Sequence, residues 1–232
     1  MILLSADLGE GSPSEEEIWP HINSANVACG GHTGDEASMR EAARLAQQHN
    51  VRFGAHPSYP DRENFGRKTM AIAPDTLRDS LIAQLTALNT IARIEHVKPH
   101  GALYNDAHRN RLLANIIIEA MQRISPKLAI VAPDDSQMSI AARAAGVNVI
   151  REAFADRRYQ SDGTLTPRSI EGSTLTIEES AAQATLLATQ SAVIARDGTR
   201  IGIPFDTICI HADMERALER LRAIRTALRV DK

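Results

Sequence analysis

The sequence predicts an α/β fold, a seven-stranded β/α barrel of the TIM kind, in one domain spanning residues 1–232. Short runs rich in β-branched residues alternate with longer segments of helical period, the pattern of a parallel sheet wrapped by helices. Seven such runs occur, over a length that a closed barrel can use. An open doubly wound nucleotide fold would carry a glycine-rich phosphate turn after its first strand. Gly9-Glu10-Gly11 stands there with the spacing of neither the dinucleotide fingerprint nor the P-loop.

The first strand is expected over residues 2–7. Ser12-Pro13-Ser14-Glu15 then reads as a capping box with proline at the first helical position, the serine accepting a backbone N–H while the glutamate reaches back. A second strand over 22–29 is followed by a helix that Asp35 can cap, with Met39, Ala42, Ala43, Ala46 and Gln47 as its inner stripe. After a third strand at 51–56, Leu77, Leu81, Leu85 and Leu88 repeat that pattern more strongly. Strands at 95–98, 128–131, 147–151 and 207–211 complete the seven, and the last helix follows Asp213 with Ala217, Leu218, Leu221 and Ile224 on one face.

A net charge of −3, with 43% hydrophobic and 24% charged residues, suits a globular chain with a sizeable core. Aromatic residues make up only 3%, and no run of Lys and Arg alternates with them, so neither a phosphate-tracking groove nor a base-stacking platform is present. No stretch has membrane-spanning length, and the start, Met1-Ile2-Leu3-Leu4-Ser5-Ala6-Asp7, reads as no secretory leader, so a cytoplasmic location is expected. Cys29 and Cys209 stand in apolar company without a CxxC partner and are expected as reduced, half-buried thiols.

Four of the eight histidines, His32, His56, His100 and His211, fall where a strand runs out into a loop. In a β/α barrel those positions share the end at which ligands bind. Asp7 ends the first strand at the same end. Lys98 ends the fourth, where a buried ammonium needs an anion: a substrate carboxylate, a phosphate, or a salt bridge to Asp7 or Asp156. Two long loops, over residues 57–67 and 154–169, carry Arg62, Arg67 and Arg157, whose planar forks suit an anionic ligand. Arg62 and Arg67 could instead pair with Asp61 and Glu63 inside their own loop. His21, His49 and His108 are expected to have no chemical role, and His96 to be packed.

Six blocks carry a resemblance: residues 6–11, 24–35, 54–62, 64–67, 97–105 and 152–157. Among them are Asp7-Leu8-Gly9-Glu10-Gly11, Cys29-Gly30-Gly31-His32-Thr33-Gly34-Asp35, Gly54-Ala55-His56-Pro57-Ser58-Tyr59-Pro60-Asp61-Arg62 and Val97-Lys98-Pro99-His100-Gly101-Ala102-Leu103-Tyr104-Asn105. In this order and register they resemble the LamB/YcsF family, which supplies the A subunit of bacterial 5-oxoprolinase. The resemblance implies a barrel of the glycoside hydrolase/deacetylase type. It also implies ATP-dependent opening of 5-oxo-L-proline to L-glutamate in a complex with two further subunits, B and C, with ATP as cosubstrate and Mg2+ accompanying it.

On that basis Asp7, His32, His56, Lys98 and His100 are the expected catalytic set. Asn26, Arg62, Arg67, Tyr104, Asp156, Arg157 and His211 are the expected contacts to substrate or phosphate. No residue is assigned to a metal, although Asp7 with His32, His56 or His100 offers the mixed donors of a metal-dependent hydrolase acting on a small amide. A non-catalytic subunit that only presents the lactam is the other alternative. Three positions depart from the family pattern: Ser5 for asparagine, Gly31 for an aromatic residue, and Ala212 for glycine. The lost aromatic is expected to open space beside His32.

Overall fold

Seven parallel strands close into a barrel in the computed structural model, which describes residues 2–229; Met1 and residues 230–232 of the expected domain lie outside it. The strands are β1 (Leu3–Leu8), β2 (Ser24–Ala28), β3 (Arg52–His56), β4 (His96–Val97), β5 (Ala129–Ala132) and β6 (Val149–Phe154), closed by β9 (Thr207–His211) between β6 and β1. All seven expected strands are present. The largest shift is in β6, which ends three residues beyond the expected Arg151 and so carries Glu152 inside the strand.

Strand alternation divides the residues between two environments. On β1, Leu4, Ala6 and Leu8 belong to the apolar core, while Ser5 and Asp7 are polar residues of the opposite parity. In register with Asp7 stand Asn26 on β2 and His211 on β9. The barrel interior is narrow enough to select a glycine. A Cβ on Gly54 would come within 2.1 Å of the His96 ring, so the imidazole occupies the space that a side chain on β3 would need.

The helices form the outer layer. In α2 (Glu36–His49), Asp35 accepts a bond from Ser38 N at 2.9 Å and Ser38 Oγ accepts one from Asp35 N, the expected start in full. Met39, Ala42 and Ala46 are buried with Leu45, while Gln47 is exposed, so the stripe runs slightly differently from expectation. The four leucines of α3 (Pro74–Ile91) are all buried, as are Ala217, Leu221 and Ile224 of α8 (Ala217–Leu228). Between them lie α4 (Gly101–Arg109), α5 (Arg111–Ile124), α6 (Gln137–Ala144) and α7 (Ile177–Gln190). No helix among the described residues is long and apolar enough to cross a membrane.

Two features of the secondary structure differ from the sequence reading. The capping box at Ser12–Glu15 does not form: α1 (Glu15–Ile18) starts after Ser14 without a side-chain cap. The Glu15 carboxylate instead accepts the backbone N–H groups of Gly9, Glu10 and Gly11, and Ser12 Oγ donates to Ala212 O at 2.9 Å. Three converging donors in a turn with Gly9 and Gly11 at φ 75° and 79° satisfy an ionised carboxylate better than one reciprocal cap does. The second miss is an antiparallel hairpin of β7 (Ala192–Ile194) and β8 (Arg200–Gly202), outside the barrel, turning at Asp197-Gly198. Strands of three residues carry too little alternation to be seen as period 2.

The space expected beside His32 is filled. A Cβ on Gly31 would lie 2.4 Å from both Gln84 Oε1 and Ser58 Oγ. The Gln84 amide accepts from Ser58 N at 3.0 Å and donates to Ser58 O at 2.9 Å, taking the room an aromatic ring would use. Gly31→Ala is expected to destabilise the fold by about 1–3 kcal/mol through overpacking. Urea unfolding checks this.

Candidate active site

The strand ends carry an unusual amount of buried charge. Lys98, 2% exposed, places Nζ 2.9 Å and 3.1 Å from the two oxygens of Asp7 and 2.9 Å from Glu152 Oε1. It also donates to Cys209 Sγ at 3.0 Å. Burial disfavours the ammonium, but Asp7 and Glu152 around it hold its pKa well above the ordinary lysine value. Burial likewise opposes ionisation of Asp7, and His56 and Lys98 overcome it, holding that carboxyl well below the usual range. Cys209 is pushed well above its ordinary value, by burial and by Asp7, and stays a neutral thiol. Of the partners expected for Lys98, the structure selects Asp7 and adds Glu152; Asp156 is engaged elsewhere.

Asn26 supports Asp7 from below, donating from Nδ2 to Asp7 Oδ1 at 2.8 Å. His96 Nε2 in turn donates to Asn26 Oδ1 at 3.0 Å, which fixes the amide's orientation. Asn26 does not line the main cavity and positions Asp7 instead. His96 is packed, as expected, and has this hydrogen-bonding task as well. Tyr104 on α4 donates its hydroxyl to Glu152 Oε2 at 2.9 Å.

Above this cluster three histidines, His32, His56 and His100, meet. His56 Nδ1 donates to Lys98 O at 2.7 Å, and His100 Nε2 donates to Phe65 O at 3.0 Å. The other ring nitrogens, His56 Nε2 and His100 Nδ1, therefore face each other, 3.0 Å apart. His32 stacks on His100 with centroids 3.7 Å apart and bonds through Nε2 to Glu10 Oε1 at 3.0 Å. Glu10 was not expected in the site. The left-handed turn around it delivers its carboxylate among the three rings, 3.3 Å from His100 Nδ1 and 3.8 Å from His56 Nε2. Burial works against its ionisation, and bonds from His100 and His32 keep the carboxyl far below the usual value.

Asp156 and His211 form a separate pair on the same rim. His211 donates to Asp156 Oδ2 through its backbone N–H at 2.8 Å and to the carboxylate through Nδ1 at 3.1 Å, with the ring stacked on Phe154. That leaves His211 Nε2 as the ring atom for a ligand. Burial would raise the Asp156 carboxyl, but His211 holds it down at about 2. With a folded value of about 2 below an unfolded 3.8, the ionised group stabilises the fold fully above pH 3.8, and that stability is lost as pH falls through 2. Asp156→Asn is expected to lower stability at neutral pH by about 2 kcal/mol and to flatten the acid limb, as read from urea midpoints between about pH 2 and pH 5.

The arginines divide. Arg157 is buried, bonds only backbone carbonyls of Thr166 (2.7 Å) and Ser173 (3.4 Å), and has no carboxylate in ion-pair reach among the described residues. Burial, with Arg168 nearby, pulls its pKa to about 10 against the attraction of Asp156 and Asp213, and the group lines the cavity wall. Arg67 lines the cavity too, paired to Asp213 and lying over the Phe65 ring. Arg62 does not line it: its guanidinium clamps Gly30 O and Gly34 O at 3.1 and 3.0 Å, holding the loop of His32 in shape. Neither Arg62 nor Arg67 takes Asp61 or Glu63 as partner. The Ser5 departure lies away from the cavity, bonded by Thr207 Oγ1 at 3.3 Å.

The cavity over these groups measures about 1790 Å³, larger than the ~300–1,000 Å³ of common small-molecule sites. Its floor includes Asp7, Glu10, His56, Lys98, His100 and Glu152. Glu152 was missed in the sequence because its strand was ended one residue short of it. Glu10 was missed because a loop carboxylate shows no direction until the glycine turn is built.

The same architecture occurs in a lactam utilization protein of Thermus thermophilus, 39% identical, with a TM-score of 0.90 over 98% of this chain and 96% of that one. A proposed cellobiose-phosphate cleavage protein of Enterococcus faecalis shares the fold at 12% identity, with a TM-score of 0.59 over 98% and 93% of the two chains. With a family model matching residues 2–232 over the motifs that build this pocket, the chain belongs to the LamB/YcsF family.

Proposed function

We propose that this chain opens the ring of 5-oxo-L-proline to L-glutamate at the expense of ATP, as the A subunit of an enzyme with two further subunits, B and C. The observation that carries the proposal is the buried Asp7–Lys98–Glu152 cluster under three histidines, in a chain 39% identical to a lactam utilization protein. A single buried cation between two carboxylates is expensive to build, and such arrangements recur where charge must be stabilised during reaction.

The chemistry accounts for ATP. A five-membered lactam is an unactivated amide. Transfer of the γ-phosphoryl group to the lactam oxygen breaks its bond to ADP and leaves an electrophilic ring carbon. Water adds to that carbon, the C–N bond breaks with a proton going to nitrogen, and the acyl phosphate so formed is hydrolysed by a second water to glutamate and phosphate.

Arg157 is the cation for the substrate carboxylate, its free N–H groups being unclaimed by any acid. His211, oriented through Nδ1 by Asp156, moves the proton to the departing nitrogen, while Lys98 stabilises negative charge on the reacting oxygens. The cavity has room for more than a lactam, in keeping with a nucleotide phosphate or a partner's loop entering it, with Mg2+ carried in by ATP. Lacking a phosphate loop, this chain shares its nucleotide site with a partner subunit.

The test is glutamate release from 5-oxoproline, with and without ATP, by the chain alone and with both partner subunits. Release only in the complete mixture with ATP is expected. No release under any condition overturns the proposal.

A further inference from the structure

We infer that Glu10, His56 and His100 form a binding site for one divalent transition-metal ion of the zinc type. The inference uses the same pocket as the proposed reaction but rests on its geometry alone, independent of which amide is cleaved.

Two imidazoles turn their second ring nitrogens toward one gap, which the Glu10 carboxylate also faces. His56 Nδ1 and His100 Nε2 both bond carbonyl oxygens, which can only accept, so both carry the ring hydrogens. The facing atoms, His56 Nε2 and His100 Nδ1, stand 3.0 Å apart, a spacing that one shared proton or one shared metal ion can bridge. A ligating histidine characteristically donates its second ring N–H to a backbone carbonyl, which fixes the tautomer and aims the other nitrogen. Both rings here are held in that way.

The distances suit a metal. The three donor atoms are separated by 3.0, 3.3 and 3.8 Å. Bonds of about 2.0–2.1 Å in tetrahedral geometry require donor separations of about 3.3–3.4 Å. Two imidazoles and one carboxylate are the donor set of an open zinc site, and they do not suit Ca2+ or Mg2+, which prefer oxygen. All three residues line the cavity, so a fourth position faces ligand or water. The acidic ligand is Glu10 because the nearer carboxylate choice, Asp7, is already held by Lys98 and Asn26.

The surroundings are pre-organised for this. His32 bonds Glu10 Oε1 and stacks on His100, which steadies one ligand and packs against the other. Gly66 lies so close that a Cβ there would come 2.9 Å from His32 Cβ and 3.1 Å from His100 Cδ2. The competing occupant of the gap is a single proton shared by the two imidazoles, and metal binding would displace it.

The experiment uses the full chain, stripped with a chelator and titrated with Co2+. One equivalent is expected to give the intense visible ligand-field bands of tetrahedral Co2+, and Zn2+ should bleach them and raise Tm. Glu10→Gln keeps size and shape, and His56→Ala and His100→Ala each remove a donor; all three should weaken Co2+ binding at least about a hundredfold. The proposal is overturned if Co2+ fails to bind stoichiometrically, if Glu10→Gln binds it as tightly as the parent, or if strong thiolate charge-transfer bands place it on Cys29 or Cys209. Folding of each variant is followed by circular dichroism, and Glu10→Gln decides the matter should a histidine variant unfold. Lactam turnover is not read, so loss of this site and loss of the lactam reaction are separate results.

Discussion

Lys98→Met is expected to reduce ATP-coupled glutamate release by roughly a thousandfold and to destabilise the fold by about 3–5 kcal/mol. Both effects have one origin. The ammonium sits 2.9 Å from a carboxylate oxygen on each side, and methionine fills its volume while leaving Asp7 and Glu152 buried, close together and unpaired. Two like charges in such a site cannot both remain ionised, so one takes up a proton and the pocket loses its charge pattern. Stability is measured by urea unfolding at neutral pH, and activity by initial rates in the reconstituted mixture. The triple variant Lys98→Met, Asp7→Asn, Glu152→Gln separates the two effects: removing all three charges should recover most of the stability and none of the activity. A Lys98→Met protein with parental stability and turnover would remove the central group of the scheme.

Asp7→Asn is expected to be the second most damaging change for turnover, by roughly a hundred- to a thousandfold, with a smaller loss of stability of about 1–3 kcal/mol. The asymmetry follows from the partners. Lys98 keeps Glu152 when Asp7 is neutralised, so no buried charge is left wholly unpaired. What is lost is the second acceptor of Lys98, Oδ2, together with the negative charge 3.4 Å from His56 Nε2. The retained carbonyl oxygen still accepts from Asn26 Nδ2 and Lys98, and the new NH2 replaces the oxygen that faces Lys98 and His56. Steady-state kinetics should show the fall in kcat with KM for 5-oxoproline nearly unchanged, because the substrate carboxylate is assigned to Arg157. A fall confined to KM would move Asp7 from catalysis to binding.

The parts of the site legible in sequence were those set by strand ends. His56, Lys98, His100, Asp7 and His211 each follow or end an apolar β run, and a parallel barrel places such residues at one mouth whatever the details of packing. Glu152 escaped because a shift of three residues in the end of β6 moves a side chain from rim to interior. Arg62 looked like an anion ligand by residue type and proved to be a loop clamp, because the carbonyls of Gly30 and Gly34 converge on it from a segment 28 and 32 residues away. The Ser12–Glu15 signal named a plausible partner for Glu15, but the Gly9–Gly11 turn offered three donors.

By itself, then, the sequence indicated seven strands alternating with helices, favoured a barrel, and marked the end at which its polar residues gather, since periodicity and turn chemistry are local properties that survive without coordinates. The tertiary structure decided which of those groups pair. Lys98 takes Asp7 and Glu152 over Asp156, Asn26 answers to His96, Gln84 fills the room left by Gly31, and Glu10 enters a ring of histidines. Pairing depends on distances of a few tenths of an ångström between residues far apart in the chain, 111 positions in the case of Lys98 and Cys209, and only closure of the barrel, with β9 seated between β6 and β1, sets those distances.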